Sequence, residues 1–265
     1  ETVGESRMTM ASAPRFDSLD PERGGRSFVF ADPVDEVAAW TIEEVVPALE
    51  RVECAVESGL HGAGFVAYEA APAFDPALVA GRLDGLPLVH FGLFRTRREI
   101  RPLEGLPESG AYELGEVRPA LGPERYERIV SALLELIAAG DTYQVNFTFP
   151  LRGRFRGDPL ALYRDLCLAQ RSAFCAYLEV GSRAIVSASP ELFFRVDGRR
   201  AELRPMKGTR PRGRWSAEDE ALACELAESP KERAENLMIV DLLRNDLGRV
   251  AKFGSVRVPR LFEVE

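Results

Sequence analysis

Apolar side chains recur at helical spacing in two stretches of the first half of the chain. Over residues 41–58, Val45, Val46, Leu49, Val52 and Val56 fall on one side of a helix. Over residues 123–139 the stripe is Ile129, Val130, Leu133, Leu134 and Ile137; Pro123 suits a first turn and Gly140 a C-terminal cap. Short runs rich in β-branched and aromatic residues predict strands at 26–31, 64–68, 88–94, 144–151, 173–180, 184–187, 192–196 and 200–204. The turn Val196-Asp197-Gly198-Arg199 is short enough to make the last two an antiparallel pair. Two helices follow, with capping-box spacing at Ser216 and Asp219, again at Ser229 and Glu232, and Pro230 placed for a first turn. The pattern predicts an α+β fold, a mostly antiparallel sheet core with helices packed outside.

Composition narrows the class. A chain of 265 residues, 46% hydrophobic, can bury the core of one large domain or two small ones. Its longest apolar runs, such as residues 237–240, are far too short to span a bilayer, so no membrane partner is expected. No charged segment followed by an apolar one opens the chain, which predicts a cytoplasmic protein without a secretory signal. Residues 1–15 are small, polar and aperiodic and are expected to form a mobile tail. Residues 16–118 then make the N-terminal part of the sheet domain, and 119–265 a second region. Cys54, Cys167, Cys175 and Cys224 are scattered without a C-x-x-C pair, as packed thiols are. With His61 and His90 as the only histidines, a histidine-rich metal centre is excluded. The formal charge of −8 argues against nucleic acid as a partner, and means that any anion must be met by cations gathered locally.

Several segments could carry chemistry. Gly62-Ala63-Gly64-Phe65-Val66-Ala67 spells the dinucleotide fingerprint G-x-G-x-x-A, which acts only between a preceding strand and a following helix. Here the order is inverted, so a tight turn is expected there instead. Asn146-Phe147-Thr148 has the letters of a glycosylation sequon, but in a strand-like run of a chain with no secretory signal. Arg204, Lys207, Arg210, Arg212 and Arg214 crowd five cations into one short segment, which composition alone reads as a solvated basic loop. Two details favour chemistry: Gly208 would let backbone and ligand come close, and a lysine among cations holds its proton less tightly, which makes it a nucleophile. Glu235 shares a helix face with Met238, Ile239 and Leu242. A carboxylate there needs either an arginine, Arg244 or Arg249, or a hard cation such as magnesium. Glu191, in the turn Ser189-Pro190-Glu191, gains interest only if it converges with Lys207.

These segments together resemble a known family. The stretches 141–146 (Asp-Thr-Tyr-Gln-Val-Asn), 187–194 (Ser-Ala-Ser-Pro-Glu-Leu-Phe-Phe), 205–209 (Pro-Met-Lys-Gly-Thr), 235–248 (Glu-Asn-Leu-Met-Ile-Val-Asp-Leu-Leu-Arg-Asn-Asp-Leu-Gly) and 254–265 are similar to the chorismate-utilising enzymes. That family includes component I of anthranilate synthase and of aminodeoxychorismate synthase, and the isochorismate and salicylate synthases. The stretch 62–75, with Tyr68-Glu-Ala-Ala-Pro72, resembles compact aminodeoxychorismate synthases sometimes fused to a lyase domain.

The resemblance implies a large α+β domain with an antiparallel β-sandwich core and outer helices, acting on chorismate held with Mg²⁺. Anthranilate synthases carry alanine where this chain has Lys207, and isochorismate-forming members a lysine base where it has Gln144. The combination therefore implies amination at C4. Lys207 would be the nucleophile, Glu191 the acid, Glu235 a magnesium ligand, and Gln144, Gly208 and Thr209 substrate contacts. Ammonia would come from a glutamine amidotransferase subunit. The family's remaining motifs, a histidine segment, a Gly-Ala-Pro-Lys turn, a second magnesium carboxylate and arginine and tyrosine contacts, lie past Glu265, so the 265-residue chain alone is expected to be inactive. Three other readings compete: anthranilate synthase component I, a non-catalytic binding module, and a nucleic-acid binder using 204–214 and 95–101.

Overall fold

The computed structural model describes residues 13–20, 25–81 and 85–264. In chain order the strands are β1 (Arg15–Asp17), β2 (Ser27–Ala39), β3 (His61–Val66), β4 (Val89–Ile100), β5 (Tyr112–Leu114), β6 (Arg118–Pro119), β7 (Leu151–Arg152), β8 (Phe155–Gly157), β9 (Phe174–Val180), β10 (Arg183–Ser189), β11 (Leu192–Asp197) and β12 (Arg200–Arg204). The helices are α1 (Ile42–Glu57), α2 (Pro123–Ala139), α3 (Pro159–Gln170), α4 (Ser216–Glu228) and α5 (Pro230–Val250). The architecture is α+β, as expected. Contacts gather the chain into two units, residues 1–188 and 189–265. The boundary expected at 118/119 falls inside the first of them. Among the described residues no helix is long and apolar enough to cross a membrane.

The first unit is built on a six-stranded sheet in the order β10-β9-β1-β2-β4-β3. Its longest pairing, β2 with β4, runs further than the 26–31 prediction. The strand passes through Asp32-Pro33 because a register shift between Pro33 and Asp35 absorbs the proline, which has no N–H to give a ladder. Asp32, at φ 57°, is steadied there by Thr96 Oγ1, which donates to its carboxylate at 2.7 Å. On one face α1 covers the sheet: Val45 and Ala48 are buried and Leu49 and Val52 packed against Val37, Ala39, Val89 and Leu93. Val46 and Val56 stay exposed, so the buried stripe is narrower than the periodicity suggests. At its N-terminus the Glu44 carboxylate accepts from Thr41 N at 3.2 Å and Trp40 N at 2.7 Å.

Two expectations are corrected. Gly62 to Val66 are not a tight turn but the body of β3, paired along β4. Gly64 is glycine because a Cβ there would stand 1.9 Å from the His90 carbonyl oxygen. The run 144–151 joins a ladder only at its end, where Leu151 pairs with Pro119. Its alternating aromatic residues pack on a helix instead of extending a sheet: Phe147 and Phe149 lie 5.9 and 6.0 Å from the Tyr126 ring of α2. Helix α2 has the expected ends and its Gly140 cap at φ 85°, yet none of its residues is buried, and Leu134 is 60% exposed.

A buried ion pair fixes β1 between β2 and β9. Arg15 donates through Nε at 2.5 Å and Nη2 at 3.0 Å to the Asp17 carboxylate, which also takes Leu103 N at 2.8 Å and Tyr163 Oη at 2.9 Å. Burial and the Asp17 charge together push the Tyr163 phenol far above its usual range, so it remains a donor. Arg15, the last residue of the expected tail, thus belongs to the sheet; residues 1–12 of that tail lie outside the described residues. Cys54, Cys167, Cys175 and Cys224 are unbridged, and Cys167 and Cys175 are buried beside Tyr163 and Tyr177.

In the second unit β11 and β12 form the expected hairpin, closed by Gly198 at φ 55° in the position that needs a left-handed residue. Helices α4 and α5 follow. Trp215, not Ser216, caps α4; Ser229 caps α5 as expected, its hydroxyl accepting from Glu232 N at 3.4 Å.

Removing the carboxylate of Asp17 would leave Arg15 buried and unpaired. Asp17→Ala is expected to lower the unfolding free energy by ~3–5 kcal/mol, read from urea denaturation; an unchanged midpoint would refute the anchoring role.

Candidate active site

The hairpin decides where Glu191 goes. Leu192 pairs with Arg204, so the residue before β11 lies across from the residues after β12. The Glu191 Oε1 atom accepts from Met206 N at 3.1 Å, one residue before Lys207. The turn leading in is set by Ser189, whose hydroxyl accepts from Glu191 N at 3.3 Å and donates to Glu191 O at 3.1 Å. Glu191 and the lysine turn therefore converge through main-chain pairing.

The basic segment stays in part solvated, as composition suggests, but each of its four arginines pairs with a carboxylate. Arg204 is held by Glu202 at 2.7 Å, and Arg210 by Glu225 of α4 at 3.0 Å and Glu232 of α5 at 3.4 Å. Arg212 grips Asp219 with two parallel bonds, Nε to Oδ1 at 2.8 Å and Nη2 to Oδ2 at 2.5 Å. Arg214 bonds Glu218 at 3.0 Å and stacks over Trp215 at 4.6 Å. These contacts hold the Asp219 carboxyl down at about 2, through Arg212 first and the Gly213 amide second, and lower Glu218 and Glu202 through their arginines. Lys207, half-buried, is the one cation of the five that has no carboxylate partner among the described residues.

Gly208 seats this turn. Its φ is 79°, and a Cβ there would lie 2.9 Å from Glu232 Oε2 and 3.1 Å from Leu226 Cδ1. Thr209 is exposed and its carbonyl oxygen accepts from Arg210 Nη1 at 3.0 Å. Glu235 is half-buried one turn along α5 from Glu232, on the same side of the helix. Glu235 has partners of its own, and Arg244, one of the two arginines the sequence offered it, bonds Asp241 at 3.3 Å. Five of the six residues singled out, Glu191, Lys207, Gly208, Thr209 and Glu235, thus lie in the second unit. Gln144 is half-buried in the first, its carbonyl oxygen accepting from Thr142 Oγ1 at 3.2 Å. Arg210 and Glu232 were not singled out; the signal available was a run of cations at 204–214 followed by an acid-rich stretch at 218–232.

Among the described residues no group of three or more His, Cys, Asp or Glu side chains could hold a metal ion. Magnesium takes only one or two carboxylates and completes its shell with water and substrate oxygens. A single half-buried carboxylate such as Glu235 fits it as one ligand.

Two outcomes follow from this geometry. Gly208→Ala must hold an alanine at positive φ against Glu232, and is expected to cost ~1–2 kcal/mol in thermal or urea unfolding; parent stability would contradict the packing. Asp219 is depressed from 3.8 to about 2, so its contribution to the α4 N-terminus is complete above pH 3.8 and lost as pH falls towards 2. Trp215 fluorescence in a Trp40→Phe background should report a transition in that window, and Asp219→Asn should remove it.

Residues 16–265 match the model of the family described as chorismate binding enzyme. The chain is 41% identical over 195 residues to anthranilate synthase component 1 of Thermus thermophilus, covering 74% of this chain and 40% of that protein. It is 50% identical over 143 residues to the aminodeoxychorismate synthase of Streptomyces pristinaespiralis, covering 53% of this chain and 20% of that protein. It thus spans well under half of either relative. The crystal structure of anthranilate synthase component I from Streptococcus pneumoniae superposes with a TM-score of 0.70 at 21% identity, covering 99% of this chain and 68% of that one, which establishes the fold. The chain belongs to the chorismate binding enzyme family.

Proposed function

We propose that the protein aminates chorismate at C4, as an aminodeoxychorismate synthase component I serving para-aminobenzoate and folate synthesis. The observation that carries this reading is Lys207, the cation without a carboxylate partner in a segment whose arginines are all paired, one residue from the amide that binds Glu191. A lysine without a carboxylate partner is not tied up in an ion pair and is free to meet the substrate as its nucleophile.

In the proposed sequence the Lys207 amine bonds to C2 of chorismate while both ring double bonds shift along and the C4–O bond breaks. Glu191, as the acid, gives the departing hydroxyl the proton with which it leaves as water. Ammonia then bonds to C4, the double bonds shift back, the C2–N bond breaks, and Lys207 recovers its amine. One hard displacement becomes two easier ones. Glu235 would hold magnesium, which when bound offsets the negative charge of the substrate's carboxylates. Gly208 and Thr209 offer backbone close to substrate, and Gln144 contributes a neutral amide in place of a base. A glutamine amidotransferase subunit is the proposed source of ammonia.

The test is mass-spectrometric product analysis, using the product of the complete reading frame with chorismate, Mg²⁺ and ammonium at mildly alkaline pH. 4-Amino-4-deoxychorismate is expected, abolished by Lys207→Ala and slowed ~10²–10⁴-fold by Glu191→Gln, the range for a lost general acid. Anthranilate as the product would replace this reading with anthranilate synthase. Near-parent rates for Glu191→Gln would remove its acid role.

A further inference from the structure

We propose that Arg210, with Glu232 as its counter-ion, is a positioning residue that sets the Lys207 turn against α5; this rests on the reading of Lys207 and Glu235 given above. Arg210 differs from Arg212 and Arg214 in what it joins. Its side chain is 25% exposed and bonds a carboxylate on each of two helices, Glu225 and Glu232, and also the carbonyl oxygen of Thr209, two residues from Lys207. Arg212 and Arg214 are 89% and 76% exposed and reach only the first turn of α4.

Glu232 takes part from the other side. Its side chain is 15% exposed, its backbone amide is held by the Ser229 cap, and its carboxylate lies where a Gly208 side chain would have to go. The stretch 207–210 is therefore clamped twice to one residue of α5: Gly208 rests on Glu232, and the Thr209 carbonyl is tied to it through Arg210. Within a helix the separation of Glu232 and Glu235 is fixed, at about 1.5 Å of rise per residue. Clamping the turn at Glu232 thus registers the lysine-bearing backbone against Glu235. Without that register the amine and the substrate's bound carboxylate would each still find a place, but not together. Loss of Arg210 should then slow turnover more than it weakens substrate binding.

The experiment compares Arg210→Gln, Arg210→Lys and Glu232→Gln in the full-length protein, with Arg214→Gln as an exposed control. Each is measured for kcat and KM with chorismate, thermal midpoint, and the rate at which acetic anhydride acylates Lys207 with and without chorismate, read by peptide mass spectrometry. Arg210→Gln is expected to lower kcat by ~100-fold, the cost of a misplaced reacting group, with KM moving less than about threefold. Arg210→Lys should recover part of kcat, since a point charge can meet one carboxylate but not make the fork. Chorismate should protect Lys207 from acylation in the parent and in Arg214→Gln, and fail to do so in Arg210→Gln. Should Arg210→Gln not fold, the neutral, isosteric Glu232→Gln carries the same expectations. Parent-like kcat and parent-like protection in Arg210→Gln and Glu232→Gln would overturn the proposal, as would a loss of kcat matched by an equal loss of folded protein. If the parent turns chorismate into something other than the 4-amino product, the reaction assignment fails, while Arg210 is still judged on the same kcat and acylation comparisons.

Discussion

Arg210 lies among the turn after β12 and two helices, and Glu225 and Glu232 meet its charge there. The second unit is organised by such pairing. Five cations between residues 204 and 214 would repel one another, at ~1 kcal/mol for each pair 4 Å apart even in water and more where water is scarce. Acidic residues on α4 and α5 remove the repulsion pair by pair, so the chain's net charge of −8 is partly concentrated where cations need it. Glu218 and Asp219 are also favoured where they stand, since the first turn of a helix welcomes negative charge. What the pairing leaves over is Lys207. Neutralising four arginines and not the lysine turns a basic segment, which alone could suit any anion, into a scaffold around one distinct amine.

The first unit meets a comparable need differently. The Arg15 and Asp17 side chains are almost wholly withdrawn from water, so their pairing must be saturated with hydrogen bonds to be tolerated. Leu103 N and Tyr163 Oη provide them, and in doing so join β1 to the segment after β4 and to α3. A three-residue strand has little ladder of its own; buried polar bonds, more than apolar area, hold it between its long neighbours β2 and β9. At the other side of the sheet α1 shows the ordinary case, where an apolar stripe over Val37, Val89 and Leu93 suffices.

Most helices were legible because both their signals are local. Period and caps place α1, α2 and the start of α5 within a residue or so, but α3 went unforeseen despite Asp158 and Pro159 at its start, and the start of α4 is misjudged by one position, where Trp215 stands before the serine that looked the part. Strands were less legible because alternation does not say what the alternating side chains face. In 144–151 they face the Tyr126 ring and not a sheet core. In 62–67 the glycines suggest a turn, yet Gly64 serves the close approach of β4. For the site, the residue types at Glu191, Lys207 and Glu235 could be named from sequence, but the bond joining Glu191 to Met206 N depends on hairpin register, which a bulge between Leu192 and Arg195 shifts by one residue. Arg210 and Glu232 were hidden for a related reason: charges 22 residues apart carry no mark of pairing until the chain returns.

Overall similarity does not select the reaction. Identity of 50% over 143 residues with an aminodeoxychorismate synthase and 41% over 195 with an anthranilate synthase point to neighbouring chemistries on one fold. Reaction type is set by a few groups placed on that fold. Chorismate offers an incoming amine two ring carbons, C2 and C4, and the products differ in which one receives ammonia. In the proposed reaction a lysine amine bonded at C2 would occupy that carbon, leave C4 to ammonia, and then depart as the leaving group. An alanine in the same place leaves C2 open to ammonia itself. On the proposed reading, the lysine at position 207 bears on the outcome more directly than any percentage of identity. Its standing apart from the ion pairs of its neighbours is the physical condition under which it could act.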